Sequence, residues 1–205
     1  MTEPATRPAP LMWWMILPFA AELTLTAAVL ALVGADDNGI DVAIRATARL
    51  AYAFFLPAYI GGALAALFGP AFDALRRHGR EFGLAFAAAL AVHLALVLWI
   101  CLLGDLPPIR TFIVFGIAAL CVYSLALLSI ARLQQWIGPR AWAAFRFLAM
   151  NYIACAFADD FLRVAPTLTI DYLLTYLPFA LLAMASPALY FAALVKRWAP
   201  RLSFR

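Results

Sequence analysis

Long apolar segments constrain this chain more than any other feature of its sequence. A helix needs about 20 mostly apolar residues to cross the roughly 30 Å hydrocarbon core of a bilayer. Segments of about this length lie at residues 11–33, 47–68, 82–103, 111–133, 141–162 and 172–195. Hydrophobic residues make up 67% of the chain and charged residues 13%, a composition too apolar for a soluble domain. The sequence predicts an all-α integral membrane protein, a bundle of six transmembrane helices.

The connections between these segments are short, and so residues 1–205 are predicted to form a single transmembrane domain. The expected surroundings are a lipid bilayer. The net charge of +4 is carried by short loops, where it sets orientation, and it does not indicate nucleic-acid binding. The three cysteines have no C-x-x-C spacing and are interpreted as small apolar packing residues.

Charge asymmetry predicts the orientation of the chain. Loops on the cytoplasmic side of membrane proteins are enriched in Lys and Arg. The chain's N-terminal side carries most of them: Arg7, Arg76, Arg77, Arg80, Arg132, Arg140, Lys196, Arg197, Arg201 and Arg205. The opposite side carries Arg45, Arg49, Arg110 and Arg163 with Asp36, Asp37, Asp41, Asp105 and Asp171. Both termini are therefore predicted to be cytoplasmic, and the expected location is a bacterial inner membrane.

His93 is the main candidate for chemistry. It lies about twelve residues into the third span, or roughly 18 Å at ~1.5 Å per residue. An ionisable residue at that depth is costly and is a functional candidate, and imidazole is a common ligand of metals and haem. Ala85 and Ala89 share its helix face and would leave room for a flat macrocycle or for a neighbouring helix. The alternative is a core histidine bonded to a hydroxyl or carbonyl group.

Glu22 is the second intramembrane candidate, near the middle of the first span. A lone carboxyl group there is expected to be protonated or paired. It could belong to a proton path or pair with His93. It could equally be a protonated acid that is hydrogen-bonded to a threonine or a carbonyl group.

Polar residues of the fifth span are the remaining candidates. Asn151, Cys155 and Asp159 follow at four-residue intervals and predict one polar stripe that faces the bundle interior or an aqueous cleft. Arg146 lies about six residues from the inner end and is expected to extend back to water. Asp160 is expected among the headgroups. In the basic loop, His78 is interpreted as a solvated residue.

Several motifs occur together between about residues 40 and 165. Arg80-Glu-Phe-Gly83-Leu precedes His93, which follows Gly83 by ten residues, and Leu106–Ser129 forms a turn and the fourth span. Trp142-Ala-Ala-Phe-Arg146 opens the fifth span, and a basic loop precedes the third. This set resembles the ferric reductase-like transmembrane family. It is most similar to short, flavin-free members such as the haem-binding membrane subunit of the bacterial methionine sulfoxide reductase system.

The resemblance implies a site for b-type haem, which this family holds between histidines of the third helix and two histidines about thirteen apart on the fifth. Here the fifth-helix positions are Arg146 and Asp159, and arginine cannot ligate iron. At most one b-type haem is expected, on His93 with Asp159 as a weak second candidate, and otherwise no cofactor. The chain has no G-x-G-x-x-G segment, so no flavin or NAD site is expected and a redox partner subunit would supply electrons.

Three functions fit this sequence. The leading expectation is a degenerate ferric reductase-like protein, poor in haem or free of it, that acts as a membrane subunit or scaffold of a redox system. The first alternative is an electron-transfer subunit with one b-type haem on His93. The second is a small transporter or proton-conducting protein that uses Glu22, His93 and Asp159. No complete catalytic site is recognised, so enzymatic activity stays open.

Overall fold

The computed structural model describes residues 11–131, 133–163 and 169–202, without the side chains of Gln134, Asp171 and residues 197–202. Of the described residues, 89% are helical and none belongs to a strand. The helices are α1 (Trp13–Val33), α2 (Asp37–Phe68), α3 (Asp73–Arg77), α4 (Gly79–Leu102), α5 (Ile109–Ile130), α6 (Pro139–Arg163), α7 (Ile170–Thr175) and α8 (Leu177–Leu202).

Six helical segments in the described chain are long and apolar enough to cross a membrane, as the sequence predicts. Large apolar side chains on their outer faces are exposed, among them Leu17, Leu32, Leu120, Leu127 and Leu181. Soluble monomers rarely present so much apolar surface, whereas lipid tails cover it readily. The fold is that of an integral membrane protein.

The helix ends differ from the predicted spans in two places. Helix α2 begins at Asp37 and not near residue 47, because Asp36 caps it by accepting a hydrogen bond from the Gly39 amide at 2.9 Å. Residues 37–46, which the predicted spans leave to the connection between the first two helices, are therefore the first part of α2. The predicted loop over residues 69–81 contains the 3₁₀ turn Pro70–Phe72, helix α3 and the start of α4.

Aromatic side chains fill the centre of the bundle, where α2, α4 and α6 meet. Phe55 of α2 lies 5.2 Å from Phe86 of α4 and 5.5 Å from Phe157 of α6, measured between ring centroids. Tyr52 lies 4.9 Å from Phe157. Phe55 and Tyr52 are essentially inaccessible to solvent. Edge-to-face and offset aromatic pairs each contribute about 0.5–1.5 kcal/mol beyond their buried area. This cluster fixes the relative positions of the helices that surround the site.

Some residues of the orientation prediction are not part of the described structure. Arg7, Arg132 and Arg205 lie outside the described residues, and the side chains of Asp171, Arg197 and Arg201 are outside them as well. The cytoplasmic placement of the termini stays a prediction.

Candidate functional site

A cavity of about 700 Å³ lies between α2, α4, α5 and α6. Its volume falls within the range of small-molecule sites. Most of its wall is apolar, and the acidic residues Asp41, Asp105 and Asp160 line it near one end of the helices, together with Arg45. This end is the one predicted to face away from the cytoplasm.

Small residues and uneven helix packing account for the empty space. Ala48, Gly116, Ala119 and Ala156 line the cavity, and a Cβ atom added at Gly116 would meet no atom within 4 Å. Helix α5 packs mainly against α6 and much less against α4. The packing between α4 and α5 is consequently less close than that between α5 and α6.

Polar contacts hold α5 against α6 at the same end. Arg110 of α5 donates a hydrogen bond to Asp159 at 3.2 Å, and Arg163 also donates to Asp159. The Tyr152 hydroxyl group donates to the Val114 carbonyl at 3.2 Å. Asp159 is therefore engaged by two arginines and does not line the cavity. Its expected role as a weak second ligand opposite His93 has no support in this arrangement.

His93 lines the cavity from α4, and its Nδ1 atom lies 3.0 Å from the Thr47 hydroxyl oxygen of α2. This is the hydrogen bond expected of a core histidine. The Thr47 hydroxyl group has one proton, and the Ala43 carbonyl accepts it at 2.9 Å. The hydroxyl oxygen then accepts from His93, which favours the tautomer with the proton on Nδ1. The Nε2 atom is left with a free lone pair, the form that ligates a metal or accepts a proton.

Ala85 and Ala89 do not make room for a macrocycle beside His93. Both are buried, with at most 1% of their surface exposed, and neither lines the cavity. They allow close packing of neighbouring helices, which was the other outcome expected from small residues. The wall of the cavity on this helix is instead formed by larger side chains, including Phe86, Leu90 and Val97.

Glu22 is completely buried in α1, and neither of its carboxyl oxygens has a hydrogen-bond partner among the described residues. The expected bond to a threonine or a carbonyl group is not found, and neither is a pair with His93. Thr26, one turn later, also has an unpartnered hydroxyl group within the described chain. Protonation of Glu22 stays a prediction.

The polar residues of α6, which their spacing predicts to form one stripe, have different surroundings in the structure. Asn151 is partly buried and accepts a hydrogen bond from the Tyr59 hydroxyl group of α2 at 2.8 Å. Cys155 is exposed, and Asp159 forms the ion pairs with arginine. Asn151 joins two helices, and it is not placed in the cavity.

Four further residues complete the comparison with the sequence. Arg146 is exposed and lines a second, smaller cavity. His78 is exposed but stacks on Trp14 at 5.6 Å, a contact that its interpretation as a loop residue missed.

Thr47 and Asp160 were not recognised as site residues. Of these two, Thr47 could have been recognised from the sequence, because it is a lone hydroxyl residue in an alanine-rich segment.

The residues that line the cavity offer one nitrogen ligand for a haem iron, His93. Among the described residues, no three His, Cys, Asp or Glu side chains cluster in a way that could hold a metal ion. His93 is the one imidazole in the cavity lining, and the facing wall on α5 and α6 presents Phe115, Ile153 and Phe157. A haem could be held through His93 Nε2, whereas a bis-histidine haem does not fit.

The fold and the cavity define a class: a helical integral membrane protein with a histidine-bearing, largely apolar cavity between its helices. No protein-family model, curated protein or solved structure matches the chain.

Proposed function

We propose that this chain is a membrane-embedded electron-transfer subunit that holds one b-type haem through His93 and depends on a partner subunit for electrons. The observation that supports this most is the hydrogen bond between Thr47 and His93 at the wall of the 700 Å³ cavity. Metal-ligating histidines almost always donate their second N–H to a carboxylate, a carbonyl group or water, which orients the ring and fixes the tautomer, and the Thr47 hydroxyl oxygen takes that place here.

Each group in the cavity has a definable task in this proposal. Thr47 keeps the His93 proton on Nδ1, and the apolar wall, with Phe86 and Phe157, excludes water from the bound group. Arg45 lies at the polar end of the cavity and is paired there with Asp41 at 2.6 Å, so it keeps this end polar and gives the ligand no free cation. A b-type haem supplies one-electron redox chemistry when it is bound.

The leading sequence-based expectation, a scaffold poor in haem or free of it, is the competing proposal. It is favoured by the lack of a second nitrogen ligand among the cavity-lining residues. The proton-conducting alternative has less support, because no hydrogen bond in the described chain connects Glu22, His93 and Asp159.

A haem titration of the purified protein separates the two main proposals. We expect saturation at one haem per chain, a broad high-spin spectrum and ready binding of carbon monoxide, because His93 is the single axial ligand. His93→Ala should abolish binding, and Thr47→Val should weaken it by about 10–100-fold through loss of the supporting hydrogen bond.

His78→Ala is the matched control, because His78 is the other histidine of the chain and lies outside the cavity. It should leave the titration unchanged. A sharp low-spin spectrum that survives His93→Ala would show that another residue is the ligand. A wild-type protein that binds no haem at saturation would favour the haem-free scaffold.

A further inference from the structure

A second cavity, of about 230 Å³, lies toward the other end of α2, α4, α5 and α6. Two arginines line it, Arg80 from the first turn of α4 and Arg146 from α6, together with Ser129 near the end of α5. None of the described residues that line this cavity is acidic. The end of the bundle that contains this cavity is the end predicted to be cytoplasmic.

Arg80 is held in place but not neutralised. Its Nε atom donates to the Ser129 hydroxyl oxygen at 2.9 Å, and its Nη2 atom donates to the Ser129 carbonyl oxygen at 2.8 Å. These bonds cap the C-terminal end of α5, where a cation is favourable. They leave the N–H groups of Nη1 without a partner among the described residues, so the guanidinium group is oriented and still able to donate.

Arg146 carries a second uncompensated charge. No ion pair or hydrogen bond of its guanidinium group is found in the described part of the chain. The nearest carboxyl group in sequence to Arg80 is Glu81, which does not line the cavity. Successive residues of a helix are rotated by ~100°, so Glu81 faces another direction. Asp73 is paired with Arg76. The cavity therefore contains two cations and no described counter-ion.

The interior of the cavity is apolar and has free space. Phe55, Leu84, Val122 and Leu125 form much of the wall, and a Cβ atom added at Gly83 would meet no atom within 4 Å. A soluble inorganic anion would use the cations but not this wall. An anion attached to an apolar chain would use both.

We propose that this cavity binds the phosphate group of an anionic phospholipid, with Arg80 and Arg146 as its two cationic contacts. Arginine presents a planar fork of donors that matches phosphate oxygens. Basic pockets between transmembrane helices are typical sites for anionic headgroups. The inference does not depend on haem, because the two cavities share no charged residue.

Native mass spectrometry and thermal unfolding of the full chain in a zwitterionic detergent test this site. The probes are phosphatidylglycerol, phosphatidylcholine with the same acyl chains, and inorganic phosphate. We expect one phosphatidylglycerol per chain, a raised unfolding midpoint, and no comparable effect of phosphatidylcholine. Arg80→Gln and Arg146→Gln should each weaken binding about tenfold, the effect of one charge-assisted hydrogen bond.

Two pairs of variants separate a specific site from general surface charge. Arg140→Gln removes an exposed arginine of α6 that does not line the cavity, and it should bind phosphatidylglycerol like the wild type. Gly83→Leu fills the cavity and leaves both arginines and the Ser129 bonds in place. It should abolish binding, whereas Gly116→Leu, in the other cavity, should not.

The outcomes have distinct meanings. If inorganic phosphate binds as well as the lipid and depends on both arginines, the phosphate site stands and its ligand is a soluble anion. If phosphatidylglycerol binds equally to the wild type, Arg146→Gln and Gly83→Leu, or no better than phosphatidylcholine, the proposal is wrong. Because Gly83→Leu and Arg146→Gln both keep the Arg80–Ser129 contact, a folding defect of Arg80→Gln does not affect this decision.

Discussion

His93 and Glu22 are both ionisable residues in membrane-spanning helices, and the structure gives them different environments. His93 has Thr47 as a partner at 3.0 Å and lines a cavity, whereas the described chain offers no partner to the Glu22 carboxyl group. The Thr47 hydroxyl group therefore makes the difference between a hydrogen-bonded histidine and a buried acid without a partner among the described residues. Both would be equal candidates if only depth in the membrane were considered.

Substitution of Glu22 tests whether its carboxyl group is neutral. Glu22→Gln should have a small effect on folding, because an amide replaces a protonated acid of nearly the same shape. Glu22→Lys should reduce yield strongly, since a lysine at mid-membrane costs about 3 kcal/mol on insertion scales. The measurements are the yield in membranes and the unfolding midpoint in detergent.

Thr26→Val is the control for this pair. It removes the other buried and unpartnered polar group of α1 and should be neutral or stabilising. If Glu22→Gln is as harmful as Glu22→Lys, an ionised and paired Glu22 becomes the better account.

At the scale of helices, some pairs pack closely and others leave space between them. Helix α2 meets α3 so closely that a Cβ atom added at Gly61 would lie 3.0 Å from the backbone of Leu75. Helix α5, in contrast, is tied to α6 through Arg110 and Asp159 and leaves space beside α4. Gly61 of α2 therefore allows a close contact between helices, whereas Gly116 of α5 borders empty space.

The same substitution at two glycines should show this difference. Gly61→Leu should destabilise the protein by about 1–3 kcal/mol, because overpacking forces α2 and α3 apart. Gly116→Leu places its side chain in the large cavity and should be tolerated. Thermal unfolding in detergent measures both. Equal losses of stability would show that the contact between Gly61 and Leu75 is not a tight one.

At the scale of the whole molecule, orientation in the membrane is the property that awaits measurement. Alkaline phosphatase fused after Arg205 or after Gly138 should be inactive, because both points are predicted to be cytoplasmic. A fusion after Asp105, in the connection between α4 and α5, should be active. The reverse pattern would contradict the six-span orientation and place the cavity beside His93 toward the cytoplasm.

The six spans could be read from the sequence because a bilayer imposes a length and a composition on each helix separately. Helix ends were predicted less well, since Asp36 begins α2 by a local cap that hydropathy does not register. His93 was recognisable as a lone imidazole in an apolar segment. Its partner was not, because Thr47 is 46 residues away in the chain and the contact depends on how α2 packs against α4.

The two cavities and the different partners of Asn151 and Asp159 came only from the tertiary structure. Equal spacing on α6 predicts a shared face, yet Tyr59 of α2 binds one residue and Arg110 of α5 binds the other. Composition and spacing are properties of one segment, and they determined the membrane class and the candidate residues. The volume of a cavity and the hydrogen-bond partner of a side chain depend on several helices together, and the packing of those helices decides them.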